Sequence, residues 1–186
     1  VSFFSTARSL GCRVVLPTAE RLPITAHGGH VRHAWYDYLT DHDGRAEDSL
    51  SEESLTRMRD RIGALIVGEA EKLGSDQSVF IGGASQGCCA AFDVFARYQA
   101  RLAGFVGFVG HPLKATPICP GPNTHSPAWF WNGDRDTTMP LAWVRPKFSQ
   151  LTEAGWNLQV TIARGESHYI SNEKGNAFLH NFLLTH

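Results

Sequence analysis

The sequence predicts an α/β fold, a mostly parallel sheet with helices on both faces. Three observations predict it. Short apolar runs of strand length alternate with stretches whose apolar residues recur at spacings of three and four. No internal repeat or low-complexity tract interrupts the alternation. Three segments rich in Gly, Ser, Asp and His fall directly after predicted strands, where parallel sheets bind their ligands. With 186 residues, 42% hydrophobic and 19% charged, residues 1–186 have the size and composition of a single globular domain.

Residues 2–10 read as the remains of a helix. Arg13-Val14-Val15-Leu16 is stopped by Pro17 and predicts a buried strand. Residues 21–44 carry Pro, Gly and His without a sustained period and predict an excursion loop. Ser49 and Glu52 have capping-box spacing. Leu55, Met58, Ile62, Leu65, Ile66 and Leu73 then mark an amphipathic helix that Gly74 ends. Residues 79–81 predict a second strand, 88–101 a helix and 104–109 a third strand. Residues 111–126 hold four of the nine prolines and predict a loop. Residues 128–131 and 158–162 predict two more strands. A helix over 141–154, containing Pro146, lies between them. Residues 176–184 predict a closing helix.

The charge balance narrows the function classes. Lys and Arg number 17 and Asp and Glu 18, a formal net charge of −1. No basic excess is available to hold nucleic acid or an anionic membrane. No apolar stretch approaches the roughly 20 residues of a membrane span, and no signal-peptide pattern opens the chain. The expectation is therefore no nucleic-acid partner and no stable membrane insertion. Four cysteines, two of them adjacent, do not make a disulfide framework; they read as free thiols of a cytoplasmic protein. Cys88 and Cys89 read as small core residues.

Three segments carry candidate chemistry. Gly83-Ala84-Ser85-Gln86-Gly87 lies between a predicted strand and a predicted helix. That is the context of a nucleophile elbow, which pushes a serine hydroxyl out of the sheet between small residues. The Gln86 amide would stand at the helix start, placed to donate to an oxyanion. The blander reading is a Gly-rich turn. Residues 132–140 follow the next strand but one and offer two acids, Asp134 and Asp136, each a candidate to orient a base or to solvate a turn. Gly165-Glu166-Ser167-His168-Tyr169 follows the last strand and offers His168 as a general base. Ser, then Asp, then His, each at a strand end, is the triad order of α/β-hydrolases.

Four motifs make the resemblance specific. Pro23-Ile24-Thr25, Gly28-Gly29 and Ala34-Trp35-Tyr36-Asp37 resemble a Pro-Val-Thr…Gly-Gly…Ser-Trp-Phe/Tyr-Asp loop. Gly82 to Gly87 resembles a Gly-Gly-Phe-Ser-Gln-Gly elbow. Residues 132–140 resemble His-Gly-x-x-Asp-x-x-Val-Pro, and Gly165 with His168 resembles Gly-x-x-His. Together they resemble the acyl-protein thioesterase and carboxylesterase group of α/β-hydrolases, which includes lysophospholipase-like enzymes, over nearly the whole chain. The resemblance implies an α/β-hydrolase fold with Ser85, Asp136 (rather than Asp134) and His168 as catalytic residues. The Gln86 backbone N–H is then an oxyanion donor. It implies hydrolysis of a small-molecule ester or an acylated-protein thioester, with no cofactor and no metal. Asn132 stands where the family has His, and Met139 where it has Val. His111, Pro112 and Leu113 stand where the family lines its acyl site, and Trp35 is a further candidate for substrate contact or packing.

Other readings remain beside it. A non-catalytic binding module on the same scaffold is the alternative. His27, His30 and His33, spaced by three, raise a metal site, although a solvated loop explains them more simply. The family's His-Gly-x-Gly-Asp loop, source of a second oxyanion donor, has no counterpart; His27-Gly28-Gly29 imitates it without a preceding strand. In the family's strand order a central strand would lie between residues 13–16 and 79–81. The sequence, which opens on Val1, is therefore expected to be N-terminally incomplete as a folded unit, with that strand supplied from elsewhere.

Overall fold

The computed structural model describes residues 3–186. Its elements run α1 (Phe3–Ser9), β1 (Arg21–Ile24), β2 (His30–His33), α2 (Glu52–Leu73), β3 (Phe80–Ala84), α3 (Gln86–Arg97), β4 (Gly104–Phe108), β5 (Ala128–Gly133), α4 (Leu141–Glu153), β6 (Leu158–Ala163) and α5 (Asn172–Thr185). Ser2, placed by the sequence in the first helix, lies outside the described residues. Strands β3, β4, β5 and β6 pair in parallel in that order, with Ala84 opposite Phe108 and Phe108 opposite Trp131. The expected parallel α/β sheet is therefore present.

Both sheet faces are covered, and β4 shows why its sequence is apolar throughout. All five of its residues are buried. Phe105 faces one core with Phe92, Phe95 and Phe130, while Val106 and Phe108 face another with Phe178, Leu179 and Phe182. Successive side chains point to opposite faces, so a strand buried on both sides has no polar position. Helix α3 is the centre of the first core. Small residues from Cys88 to Ala91 bring its backbone close to the sheet, and the Phe92 ring meets Phe105 and Phe130 at 5.0 Å each. Helix α2 packs on this side through Leu55, Met58, Ile62, Ile66 and Ala70. Helices α1 and α5 cover the other face. No helix of the described residues is long and apolar enough to cross a membrane.

Three expectations need correction. Residues 13–16 form no strand. A strand needs a ladder, and this segment is held by side chains of α2 instead: Arg61 donates to the Thr18 carbonyl at 2.7 Å, and Arg13 pairs with Glu69 at 3.2 Å. Val15 and Leu16 are exposed as a result. The excursion loop contains an antiparallel hairpin, β1 with β2, turned by Gly28 and Gly29 at φ of 65° and 77°. The cap of α2 is Ser51, whose hydroxyl accepts the Ser54 amide at 3.3 Å, rather than Ser49. Among the described residues β3 pairs only with β4, so its other edge is open, and Gly82 and Ala84 are exposed along it.

Candidate active site

The segment from β3 to α3 turns in very little space. A side chain at Gly83 would run into the backbone of Gly87 and Cys88, so only glycine lets strand and helix approach this closely. The turn residue between them is Ser85, at φ 52° and ψ −126°. A non-glycine residue held at positive φ stores strain, and the surroundings must impose it. They do so through the Ser85 amide, which donates to the Phe108 carbonyl at 2.9 Å, and the Ser85 carbonyl, which accepts from Cys88 at 2.9 Å and Cys89 at 3.2 Å. Val109, at the end of β4, is a second strained residue, at φ 43°.

Two further loops bring partners to the serine. The Ser85 hydroxyl donates to His168 Nε2 at 2.8 Å, and His168 Nδ1 donates to Asp136 Oδ2 at 2.8 Å. The Asp136 side chain is fully buried, and its other oxygen accepts the amides of Thr138 and Met139 at 2.8 Å each. Burial would raise this carboxyl. The hydrogen bonds from His168 and from the Met139 and Thr138 amides outweigh it and hold the group below its ordinary value. Asp134 does something else: its carboxylate accepts the Gly165 amide at 2.6 Å, bracing the loop that carries His168. A side chain on Gly133 would collide with the Glu166 backbone, so this glycine sets how close the two loops come.

The Gln86 amide opens α3, where helix geometry leaves it without an acceptor four residues back. Its side chain fixes the neighbouring loop, accepting from the Trp35 amide and donating to the Tyr36 carbonyl, both at 2.9 Å. The Trp35 indole packs near Gly87 and under Arg61, whose guanidinium lies 5.9 Å from the ring.

A cavity of about 440 Å³ opens beside the Asp136 loop. Thr137, Thr138 and Met139 line it from that loop, and His111 and Leu113 from the segment after β4. Trp35 and Pro112 do not reach it. The Pro112 carbonyl accepts from His111 Nδ1 at 2.7 Å and from Lys147 Nζ at 2.9 Å. The opposite wall, Thr40 to Asp48, and Trp143 were not singled out in the sequence. The acids of that wall, Asp41, Asp43, Glu47 and Asp48, were a visible signal in an otherwise unpatterned loop.

Asn132 is fully buried at the end of β5. It donates to the Gly110 carbonyl at 3.0 Å, and its own carbonyl oxygen has no protein partner. Burial pushes the Cys88 thiol up, and that of Cys89 to about 11, so both are inert core residues. Of the spaced histidines, His27 meets Asp41 at 3.4 Å and His33 meets the Ala19 carbonyl at 2.8 Å. Among the described residues no group of three or more His, Cys, Asp or Glu side chains is arranged to hold a metal ion.

The family model described as phospholipase/carboxylesterase matches residues 2–186. Acyl-protein thioesterase 1 of Schizosaccharomyces pombe is 35% identical over 97 residues, 52% of this chain and 42% of that protein. Acyl-protein thioesterase 1 of Neurospora crassa is 29% identical over 172 residues, 84% of this chain and 66% of that protein. The chain thus spans less than two thirds of the length of these curated relatives. Among solved structures, Arabidopsis thaliana SOBER1 superimposes with a TM-score of 0.82 at 22% identity, over 92% of this chain and 82% of that one. Zea mays acyl-protein thioesterase 2 gives 0.74 at 17% identity, over 100% and 88%. At such identities these likenesses establish the shared fold, that of the α/β-hydrolases.

Proposed function

The chain belongs to the phospholipase/carboxylesterase family, and from that premise we propose that it is a serine hydrolase of carboxylic esters or thioesters. One observation carries the reading: the unbroken chain of hydrogen bonds from Ser85 through His168 to buried Asp136, at 2.8 Å and 2.8 Å. Because the Asp136 carboxylate accepts from Nδ1, that nitrogen holds the proton and Nε2 presents a lone pair to the serine.

The chemistry follows from this arrangement. Ser85 Oγ attacks the acyl carbon while His168 Nε2 takes its proton, and the carbonyl π electrons move onto oxygen. The Gln86 amide donates to that oxyanion. The electrons return, the bond to the leaving group breaks, and the departing alcohol or thiol takes the proton from His168. Water then repeats the sequence on the acyl-serine, releasing the acid. Asp136 stabilises each imidazolium that forms. His168 relays every proton between Ser85, the leaving group and water, so the steps call on no cofactor.

The names of the relatives support thioesters of acylated proteins as the substrate class, and the family description supports phospholipid or carboxylic esters beside them. We infer that the open edge of β3 could accept a further strand, as the sequence reading expects, and that the loop after such a strand would supply a second oxyanion donor; the open edge supports this reading, although residues 13–16, the other flank expected for that strand, form no strand. A fluorophosphonate probe tests the proposal. Stoichiometric labelling that maps to Ser85 and disappears in Ser85→Ala is the expected result. An unlabelled Ser85 in a folded protein that also leaves p-nitrophenyl acetate intact would mean a binding module instead.

A further inference from the structure

Ser85 is held in a backbone conformation that a single motion would relieve. At φ 52° and ψ −126° it occupies a region open to glycine and strained for serine. Turning over the peptide between Ser85 and Gln86, by about 180°, would bring ψ to about +50° at the same φ, the ordinary left-handed region. That region is allowed to an L-residue. The same turn would reverse the direction of the Gln86 N–H. Strain at the elbow therefore pulls against the amide that the oxyanion needs.

Two sets of contacts oppose the turn. The Ser85 carbonyl, on the other edge of this peptide, accepts from the Cys88 and Cys89 amides at 2.9 Å and 3.2 Å. These are first-turn bonds, and helix ends fray. The second set belongs to the Gln86 side chain. Gln86 is the first residue of α3, and turning the peptide would take it out of its helical φ. Its carboxamide is fastened at both ends: Oε1 accepts the Trp35 amide and Nε2 donates to the Tyr36 carbonyl, both at 2.9 Å. The segment it grips is itself fixed. Tyr36 is buried. The Asp37 carboxylate accepts the Thr25 amide and hydroxyl at 2.7 Å each, which ties the segment to the hairpin. The Asp37 amide donates at 2.9 Å to the hydroxyl of buried Ser54, in the first turn of α2.

We propose that the Gln86 side chain is a positioning residue: clamped on the backbone of Trp35 and Tyr36, it keeps the Ser85–Gln86 peptide from turning over and holds the Gln86 N–H on the oxyanion. The inference rests on the hydrolase reading. It gives residues 34–37 a part in the reaction as an anchor, with Trp35 acting through its amide rather than through contact with substrate. Such a brace acts on the tetrahedral state, where the oxyanion exists, and leaves ground-state binding alone.

Gln86→Met keeps the length of the side chain and removes both hydrogen bonds. It should lower kcat on p-nitrophenyl acetate about thirtyfold with little change in KM, short of the roughly hundred- to thousandfold loss of an oxyanion donor removed outright. Gln86→Asn keeps the carboxamide but falls short of the loop, and should lose as much. It carries the test if Gln86→Met fails to fold. A second readout addresses the oxyanion itself, which a merely structural role would not move. n-Hexyl trifluoromethyl ketone, labelled with carbon-13 at the carbonyl, accepts Ser85 Oγ on that carbon. The serine proton passes to His168 Nε2, the π electrons move onto oxygen, and no group leaves. The carbon-13 signal of the adduct reports ionisation of this oxygen, which should occur at higher pH in either variant than in the unaltered protein. A kcat within about threefold of the unaltered protein, or a raised KM at constant kcat, overturns the proposal. So does an adduct that titrates as before. Unaltered protein that forms no adduct and leaves p-nitrophenyl acetate intact refutes the hydrolase reading, and this inference with it. An active protein indifferent to both substitutions refutes this inference alone.

Discussion

The carboxylate of Asp134 holds the amide of Gly165 at 2.6 Å, and so ties together the two loops that carry Asp136 and His168. The acid that does not touch the imidazole thereby controls where the imidazole stands. Asp134→Ala should cost about 0.5–1.5 kcal/mol of stability, the net value of a typical intramolecular hydrogen bond, since this one is exposed. It should lower kcat/KM on p-nitrophenyl acetate about tenfold through a misplaced His168. Asp136→Asn, which disturbs the tautomer itself, should lower kcat about ten-thousandfold. Comparable losses from the two variants would show that Asp134 shares the role of Asp136.

Ser85 combines chemistry with strain, and two substitutions separate them. Ser85→Ala and Ser85→Gly should both lose activity by several orders of magnitude. Ser85→Gly should nevertheless be the more stable of the two by about 1 kcal/mol, because glycine adopts φ 52° without a clashing Cβ. Urea unfolding of the pair measures this. A less stable Ser85→Gly would mean that the elbow is not strained.

His111 gives stability a pH dependence. Its native value is about 4, and an unfolded histidine titrates near 6.5. Between these values the unfolded chain binds a proton that the native chain refuses, so stability falls as pH drops from about 6.5 to about 4. The contribution amounts to roughly 3 kcal/mol over that window. His111→Phe should flatten this part of the profile of unfolding free energy against pH. An unchanged slope would mean that His111 titrates alike in both states.

Asn132 secures the Gly110 carbonyl, and Gly110 packs against Cys88 and the Ser85 carbonyl. Asn132→Ala leaves a buried carbonyl without its donor and should destabilise the fold by about 1–3 kcal/mol. The effect should reach the elbow as lowered kcat with little change in KM, since no substrate contact is removed. Raised KM at constant kcat would place Asn132 in substrate binding instead.

How much of this was legible in the sequence depended on the range of the interactions. The elbow is written in five consecutive residues, because a tight strand-to-helix turn needs its small residues locally. The core of β4 is equally local, an apolar run buried on both faces. The choice between Asp134 and Asp136 was not in the residues themselves; both are turn acids, and only the family resemblance separated them. The hairpin escaped notice because β2 buries none of its residues, and β1 alternates only over Leu22 and Ile24, four residues that include Pro23, too short a run to stand out as a strand. The cavity wall was illegible for another reason. Gly44 is held by Trp143 Nε1 at 3.0 Å and Glu47 by Lys147, contacts across about a hundred residues that no local spacing reports. Residues 13–16 misled because an apolar run specifies burial, whereas a strand also requires a neighbour to pair with.

The open edge of β3 bears on how this protein is handled as well as on how it works. A parallel strand with one bare rim is a template in solution, ready to zip onto any extended backbone that meets it. Neither proline nor a charged side chain guards it, since β3 reads Phe-Ile-Gly-Gly-Ala. Concentrating this chain should therefore promote intermolecular strand addition, visible as concentration-dependent light scattering and as faster-sedimenting species that grow at the expense of the monomer. A lysine placed at exposed Ala84 would act as a gatekeeper, at the risk of deforming the turn that presents Ser85, whereas Gly82 packs against the Val106 backbone and admits no side chain. The residues that make the elbow small enough to form are the same ones that leave its flank undefended.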